Sequence, residues 1–334
     1  MRLAFIGFRH GHILQLYQAA AVHPQVQIVA ACEEDPGAAE QVRQAGKVTL
    51  THDNYLRMLD TVPCDAVAVG DCYAKRGRLI RLALQRNEHV ISDKPLCTRA
   101  DELESIVRLS RQNNLRLGCL LDLRGSAPFR TARRLIREGA IGEVHTINFT
   151  AQHPLLFGSR PAWYFEPGLH GGTINDIAVH AIDVIPWMTG RRIVQVVAAR
   201  AWNARLPQVP HFQDAAQFML RLDNNGGVLG DVSYLAAEGC GYKADQYWRM
   251  MFHGSEGAIE CGWNHPHVVL MRNADKQPQS VALDPGEPNV ALEAFLSDIA
   301  GGQASLSSDE VLNATRITLA IQRAADDHLR DITL

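Results

Sequence analysis

The chain lacks long apolar runs, paired cysteine motifs and an excess of either charge, and each gap closes off a class of protein. No stretch reaches the ~20 apolar residues needed to span a bilayer. The apolar residues 1–7 are too few for a signal peptide and no cleavage site follows them, so they read as a first β-strand. Seven cysteines stand at positions 32, 64, 72, 97, 119, 240 and 261. Their number is odd and no C-x-x-C pair occurs, which argues against a disulfide framework or zinc knuckle and for a reducing, cytoplasmic setting. Lys and Arg number 33 against 36 Asp and Glu, a formal net charge of −3. That balance offers no general field for nucleic acid or an anionic membrane, and neither is expected as a partner. The basic cluster Arg130, Arg133, Arg134 and Arg137 has helical spacing and is expected on the wet face of one helix. No recognisable metal-ligand spacing occurs, so no metal is expected.

At 334 residues the chain is too long for one ordinary core and suits two. In the first part, near-continuous apolar strands are expected at 3–6, 26–32, 65–70, 89–92 and 116–121. They alternate with helices at about 11–21, 37–45, 51–59 (capped by Asp53 or Thr51), 76–86 and 101–113. This is the pattern of an α/β domain over residues 1–122, a parallel sheet covered by helices on both faces. Ligands of such sheets bind beyond the carboxyl ends of the strands. Here those ends are 7–12, 33–35, 70–76 and 93–95, four distant segments that converge on one crevice.

The first of these turns reads Gly7-Phe8-Arg9-His10-Gly11-His12. Against a G-x-G-x-x-G dinucleotide fingerprint it keeps the first glycine, with Arg9 at the second position and His12 at the third. An arginine there can meet a phosphate as a charged fork, and the following helix N-terminus still offers free N–H groups. Glu33 ends the second strand at about the right distance to bond ribose hydroxyls. With Glu34 and Asp35 beside it a 2′-phosphate would be repelled, so NAD is favoured over NADP. The candidate cofactor residues are Gly7, Phe8, Arg9, His10, Gly11, His12, Glu33, Gly70, Asp71, Arg76, Asp93 and Lys94.

After residue 122 the pattern changes. A helix at 129–138 is followed by strands at 143–151, 194–202, 215–222, 227–236, 248–254, 258–262 and 267–271, with a hairpin turn at 224–227 and helices at 291–301 and 308–323. Residues 123–334 are therefore expected to form an α+β domain whose open, mostly antiparallel sheet carries helices on one face, the last helix being free to return to the first domain. The other face is left for solvent or a second copy, as a homodimer or homotetramer. The most informative segment is 171–187. It enters a greasy helix through Gly171 and Gly172 and places Asp176, His180 and Asp183 on one face. A carboxylate one turn from an imidazole can hold it and raise its basicity, which makes His180 a candidate general base and Asp176 its orienting partner. A solvent stripe on an amphipathic helix is the bland explanation. Arg160, Trp163, Tyr164, His170 and Asn175 are candidate substrate contacts, Arg160 as a carboxylate clamp, and loop 237–246 is a candidate lid. Trp163 and Tyr164 can also be read as core.

Three segments in order resemble the glucose-fructose oxidoreductase, inositol dehydrogenase and rhizopine-catabolism (Gfo/Idh/MocA) family. His89-Val90-Ile91-Ser92-Asp93-Lys94-Pro95-Leu96 is similar to its strand ending in Glu-Lys-Pro, with Asp93 in place of the glutamate. Gly171-Gly172 through His180 resembles its glycine-entered D-x-x-x-H helix. Residues 136–144 resemble its linker into the first strand of the second sheet. The resemblance covers essentially the whole chain. It implies a Rossmann domain, an α+β substrate domain, and hydride transfer between NAD(P) and a sugar, cyclitol or sugar-derived acid. It makes Lys94, Asp176 and His180 the catalytic residues, with Lys94 also touching substrate and Pro95 following it in a possible cis peptide. The chain departs from the family at the glycine turn, and at residues 70–76, where Arg76 stands in place of a common histidine. Those departures motivate a competing reading, a non-enzymatic nucleotide or sugar sensor of the same fold. A metal site built on His180 with Asp176, Asp183 or His170 has no spacing in its favour.

Overall fold

Five short strands, β1 (Arg2–Ile6), β2 (Gln27–Cys32), β3 (Ala66–Val69), β4 (His89–Ser92) and β5 (Leu117–Cys119), build an all-parallel sheet in the order β2-β1-β3-β4-β5. The computed structural model describes residues 1–334. These strands belong to the first of two units, Met1–Leu120 with Gly168–Gly171 and Asn289–Thr315. The second is Leu121–Pro167 with Gly172–Pro288 and Arg316–Leu334.

The strands of the first unit are mostly apolar, polar residues such as Arg2, Gln27 and His89 standing at their starts, and β3 is buried at every residue, as expected of a sheet covered on both faces. Connecting them are α1 (Gly11–Val22), α2 (Pro36–Ala45), α3 (Tyr55–Thr61), α4 (Tyr73–Gln85) and α5 (Ala100–Gln112). Residues of α1 (Ile13, Leu16, Tyr17, Ala20) pack with Leu3, Phe5 and Ala31 of the sheet in one cluster. A single parallel bridge, Cys32 to His52, continues the sheet outside β2. The order is that of the Rossmann sheet with its outermost strand reduced to one bridge. This bridge also corrects the expected helix at 51–59. Thr51 is drawn onto the sheet, its hydroxyl bonded to the Ala31 N–H (3.0 Å) and carbonyl (3.1 Å). The helix starts only at Tyr55, capped by Asn54, whose side chain accepts from the Arg57 N–H at 2.9 Å, and not by Asp53 or Thr51.

The second unit holds a nine-stranded sheet from β6 (Val144–Pro154), β7 (Ile193–Trp202), β8 (Ala215–Leu222), β9 (Gly227–Ala236), β10 (Arg249–Gly254), β11 (Gly257–Gly262), β12 (Val268–Arg272), β13 (Gln279–Val281) and β14 (Arg330–Thr333). Its order is β13-β12-β11-β10-β6-β9-β8-β7-β14. Every neighbouring pair is antiparallel except β6 with β9. The helices α6 (Ala127–Arg137) and α7 (Val179–Thr189) lend their apolar sides to one core with the sheet, among them Phe129, Leu135, Ile182, Ile185 and Met188. The other sheet face is open: Met219 and Leu229, paired across β8 and β9, are 45% and 49% exposed. The arginines of α6 are spent locally, Arg130 on Glu287, Arg134 on Asp284 and Glu138, and Arg133 and Arg137 on the Trp187 carbonyl.

Candidate active site

In the first unit, the turn after β1 is set by Gly7. Its φ of +80° suits glycine, and a Cβ there would lie 2.7 Å from the Asp71 backbone nitrogen. The turn is then bonded on both sides. Gly7 N–H goes to the Cys32 carbonyl (2.9 Å), Arg9 N–H to the Gly70 carbonyl (3.0 Å), and Phe8 N–H to Glu33 Oε2 (2.6 Å). Glu33 takes a second backbone bond, from Asp35 N–H at 2.9 Å. Both carboxylate oxygens of the expected ribose ligand are thus engaged in bracing the turn. Burial raises the Glu33 pKa, while these two N–H bonds pull it back. Arg9, in the second-glycine position, reaches Asp35 at 3.3 Å.

A second cluster forms where β4 ends. Asp93 is fully buried. Its Oδ2 meets His10 Nδ1 at 2.7 Å and Arg76 Nη2 at 3.3 Å; its Oδ1 meets His12 Nδ1 at 3.2 Å and the Lys94 N–H at 2.7 Å. Burial alone would raise the Asp93 pKa, but the facing His10, Arg76 and His12 hold it well below the ordinary carboxylate range. His10 goes the other way. Burial lowers it to about 4, so it sits neutral and donates Nδ1–H to the carboxylate. Arg76 is fully buried too, bonded to the carbonyls of Asp71 (2.8 Å), Lys94 and Pro95 (3.2 Å) and lying 4.6 Å from the Tyr73 ring centroid. It acts as an internal tie between the β3 and β4 ends. The Lys94–Pro95 peptide is cis. Lys94 Nζ stands 5.8 Å from the centroid of Tyr73, whose ring also neighbours His170 at 5.6 Å. His10, His12 and Asp93 bring three potential metal-ligand atoms within 4.8 Å of one another. The Asp93 carboxylate in this cluster is shared with the Arg76 guanidinium.

The His10 shift carries a pH prediction. Unfolded, His10 takes up a proton near its ordinary 6.5; folded, it does so only near 4. Stability is therefore complete above about pH 6.5 and falls as the pH drops toward 4, by about 3 kcal/mol for this group. Urea unfolding of wild type and His10→Asn at pH 7.5 and pH 5 measures it. The gap between the two proteins should shift in favour of the variant at the lower pH. An unchanged gap contradicts the assignment.

In the second unit, Gly172 (φ +100°) admits the chain into the helix so closely that a Cβ would collide with the Gln322 amide. Gln322 Oε1 accepts the N–H of Ile174 at 3.1 Å. A π-helical turn, Ile174–Ala178, precedes α7 and carries Asn175 and Asp176; such turns recur at functional sites. Asn175, Asp176, His180 and Asp183 are all buried, so the solvent stripe is excluded. Asp176 Oδ2 accepts the Tyr234 hydroxyl from β9. Burial, then the Asp176 charge, pushes the Tyr234 pKa well up, which keeps it a neutral donor. The His180 ring packs 5.2 Å from Trp248, which in turn lies 5.6 Å from His153. Asp183 belongs elsewhere: it forms a two-pronged pair with Arg124 (2.9 and 2.6 Å).

Arg160 Nε and Nη2 bond the carbonyls of Leu155 (3.0 Å) and Pro154 (2.9 Å), and its guanidinium faces the rings of Tyr164 (4.7 Å) and Tyr234 (5.1 Å). Trp163 is buried with its ring 4.3 Å from Tyr164. Tyr234, His153, Tyr242 and Trp248 were missed from the sequence. For Tyr234 a signal existed: the alternation of β9 puts it on the same side as Val228 and Val232, a phenol on an inward apolar face.

A nucleotide-binding α/β unit joined to an open-sheet α+β unit, with a buried carboxylate and imidazole at a glycine-entered helix, defines a two-domain dehydrogenase-like class. The family comparison narrows it. Residues 1–120 match the oxidoreductase family with an NAD-binding Rossmann fold, and residues 129–260 match the GFO/IDH/MocA C-terminal domain. The chain belongs to the Gfo/Idh/MocA oxidoreductases. It is 27% identical to 1,5-anhydro-D-fructose reductase of Ensifer adhaerens over 277 residues, 78% of this chain and 77% of that one. It is 22% identical to scyllo-inositol 2-dehydrogenase (NADP(+)) of Bacillus subtilis over 268 residues, 73% and 72% of the two chains. An oxidoreductase from Agrobacterium radiobacter, solved in complex with NAD+, L-tartaric acid and magnesium, shares the fold at a TM-score of 0.80 and 17% identity, over 100% of this chain and 98% of that one. No helix is long and apolar enough to cross a membrane.

Proposed function

We propose that this protein is an NAD-dependent oxidoreductase acting on a hydroxyl-bearing carbon of a sugar, cyclitol or sugar-derived acid. The observation that carries the reading is the burial of Asp176 and His180 on one helix, with Asp176 held by the neutral Tyr234 donor. A buried ionisable pair is costly unless it is used or tied. His180 takes or returns the hydroxyl proton, Asp176 supports its basicity, and Lys94 hydrogen-bonds the oxygen as negative charge develops on it.

The first unit suits a dinucleotide. The N-terminus of α1 bears no side-chain cap, and a Cβ on Gly11 would meet nothing within 4 Å, which leaves an open anion cradle there. Gly7 and Phe8 would shape the turn, their N–H groups being bonded to Cys32 and Glu33, while the Arg9 side chain, His10, Gly11 and His12 would hold the pyrophosphate and Glu33 the adenosine side, with Gly70, Asp71 and Asp93 along the neighbouring strand ends. Glu33, Glu34 and Asp35 favour NAD over NADP, although Arg9 stands at the same place. A bound nicotinamide ring supplies the hydride acceptor or donor. The test is reduced-nicotinamide absorbance with NAD and NADP over a panel of sugars, inositols and their acids. Turnover of a hydroxyl compound with NAD preferred supports the proposal. Binding of either ligand with no turnover across the panel favours the sensor.

The open sheet face, with Met219 and Leu229 exposed side by side, is the surface through which we place a homodimer or homotetramer. Leu229→Asp should lower the solution mass in sedimentation, to that of one 36.9 kDa chain for a dimer and to that of two for a tetramer. An unchanged mass rejects this face. The seven cysteines are free thiols, in keeping with a reducing cytoplasm.

A further inference from the structure

Every contact of the Arg160 guanidinium is with a neutral group. Nε and Nη2 are bonded to the Leu155 and Pro154 carbonyls, Nη2 also to the Tyr242 hydroxyl at 3.3 Å, and its faces meet Tyr164 and Tyr234. The nearby Glu238 carboxylate is spent on the N–H groups of Leu155 and Leu156 at 3.1 to 3.2 Å. Nη1 makes none of these bonds. No carboxylate contacts the guanidinium directly and Asp176 acts on it only through space, so a part-buried cation with no ion pair of its own is a cost that an arriving anion lowers. Its position is specific: the Tyr234 ring that it faces is the one whose hydroxyl holds Asp176. The remaining contact is movable. Tyr242 is 41% exposed, at the edge of the segment Glu238–Lys243, while Asn264 pins that segment through the carbonyls of Tyr242 (2.9 Å) and Ala244 (3.0 Å). The Tyr242 ring can therefore turn aside with its backbone fixed.

We propose that Arg160 is a carboxylate subsite and that the substrate is a polyhydroxy acid, not a neutral sugar or cyclitol. This rests on the assignment of Asp176 and His180 as the reacting pair. One guanidinium answers one negative charge, which a carboxylate carries; a phosphoryl group brings about 1.5 to 2 and would need a second cation. Tyr164 and Tyr242 then flank the carboxylate as ring wall and hydroxyl donor.

The experiment compares matched pairs, D-gluconate with D-glucitol and D-glucuronate with D-glucose, adding L-tartrate, with NAD and with NADP. In wild type the acid of each pair should exceed its neutral partner in kcat/KM by about tenfold or more, the scale of a charged hydrogen bond. In Arg160→Gln that ratio should collapse toward unity, and Arg160→Lys should retain part of it as a point charge. Equal or better use of the neutral compound by wild type overturns the proposal, as does a proportionate loss of both in the variant. If nothing is turned over, hydride transfer fails but the subsite is still decided, by calorimetry. Acids that bind, weaken with salt and are lost in Arg160→Gln uphold it. Acids that bind no better than the neutral compounds overturn it, and that comparison needs no variant.

Discussion

Replacing His180 by alanine should lower kcat by about 10²- to 10⁴-fold on whichever substrate the panel identifies, the usual loss on removing a general acid–base group. The expectation follows from where the ring sits. His180 is buried on the first turn of α7, its ring packed against Trp248, and the π-helical turn just before it delivers Asp176 from the same chain segment. On the proposed reading Lys94→Ala should cost a comparable factor, because the developing alkoxide would lose its charged donor. If both side chains serve one carbinol, the double variant should fall little further than the worse single one, since groups that act as a unit are not additive. Single-turnover rates with saturating NAD measure all three. Circular dichroism must show the variants folded. Full turnover in His180→Ala and Lys94→Ala would sink the assignment, and strictly multiplicative losses would show that the two groups contribute independently and not as a unit.

The parts that could be read from the chain are those where burial repeats with a simple period. The first-unit strands are apolar over their inner residues because helices cover both faces, and Gly7, Arg9 and Glu33 follow their carboxyl ends by construction. The Asp176–His180 spacing was visible, but the π-helical turn beneath Asp176 was not. Nothing in Ile174-Asn175-Asp176-Ile177-Ala178 distinguishes it from an α-helix until Gln322, far along the chain, accepts the Ile174 N–H. The short edge strands β13 and β14 were likewise missed, since their exposed residues show no alternation and only the ladder to β12 and β7 defines them. Arg76 shows a different limit. A charged residue at a strand end looks like a ligand contact, and only its three carbonyl partners and the Asp93 carboxylate reveal an internal tie.

Breaking the Arg124–Asp183 pair should be the most damaging single structural change, costing about 3 to 5 kcal/mol. Asp183 shares a helix face with His180, and from sequence the two looked alike. In the folded chain Asp183 meets Arg124 Nε at 2.9 Å and Nη2 at 2.6 Å with both side chains almost fully buried. Arg124 also lies 5.7 Å from the Trp187 ring, so the pair clamps the 3₁₀ segment Asp122–Gly125 to α7. Asp183→Ala removes the carboxylate that Arg124 Nε and Nη2 meet, and Arg124→Met removes the guanidinium that meets both Asp183 oxygens; each leaves a buried charge with its two-pronged partner gone and much of its desolvation penalty unrepaid. The double variant Arg124→Met with Asp183→Leu removes both charges and fills the volume. It should recover most of the loss, whereas two independent contacts would give a sum. Urea midpoints of the four proteins at pH 7.5 decide between these, with His180 left in place so that activity reports separately on the helix. A double variant no more stable than the worse single one would mean that the pair holds the chain by geometry and not by mutual charge.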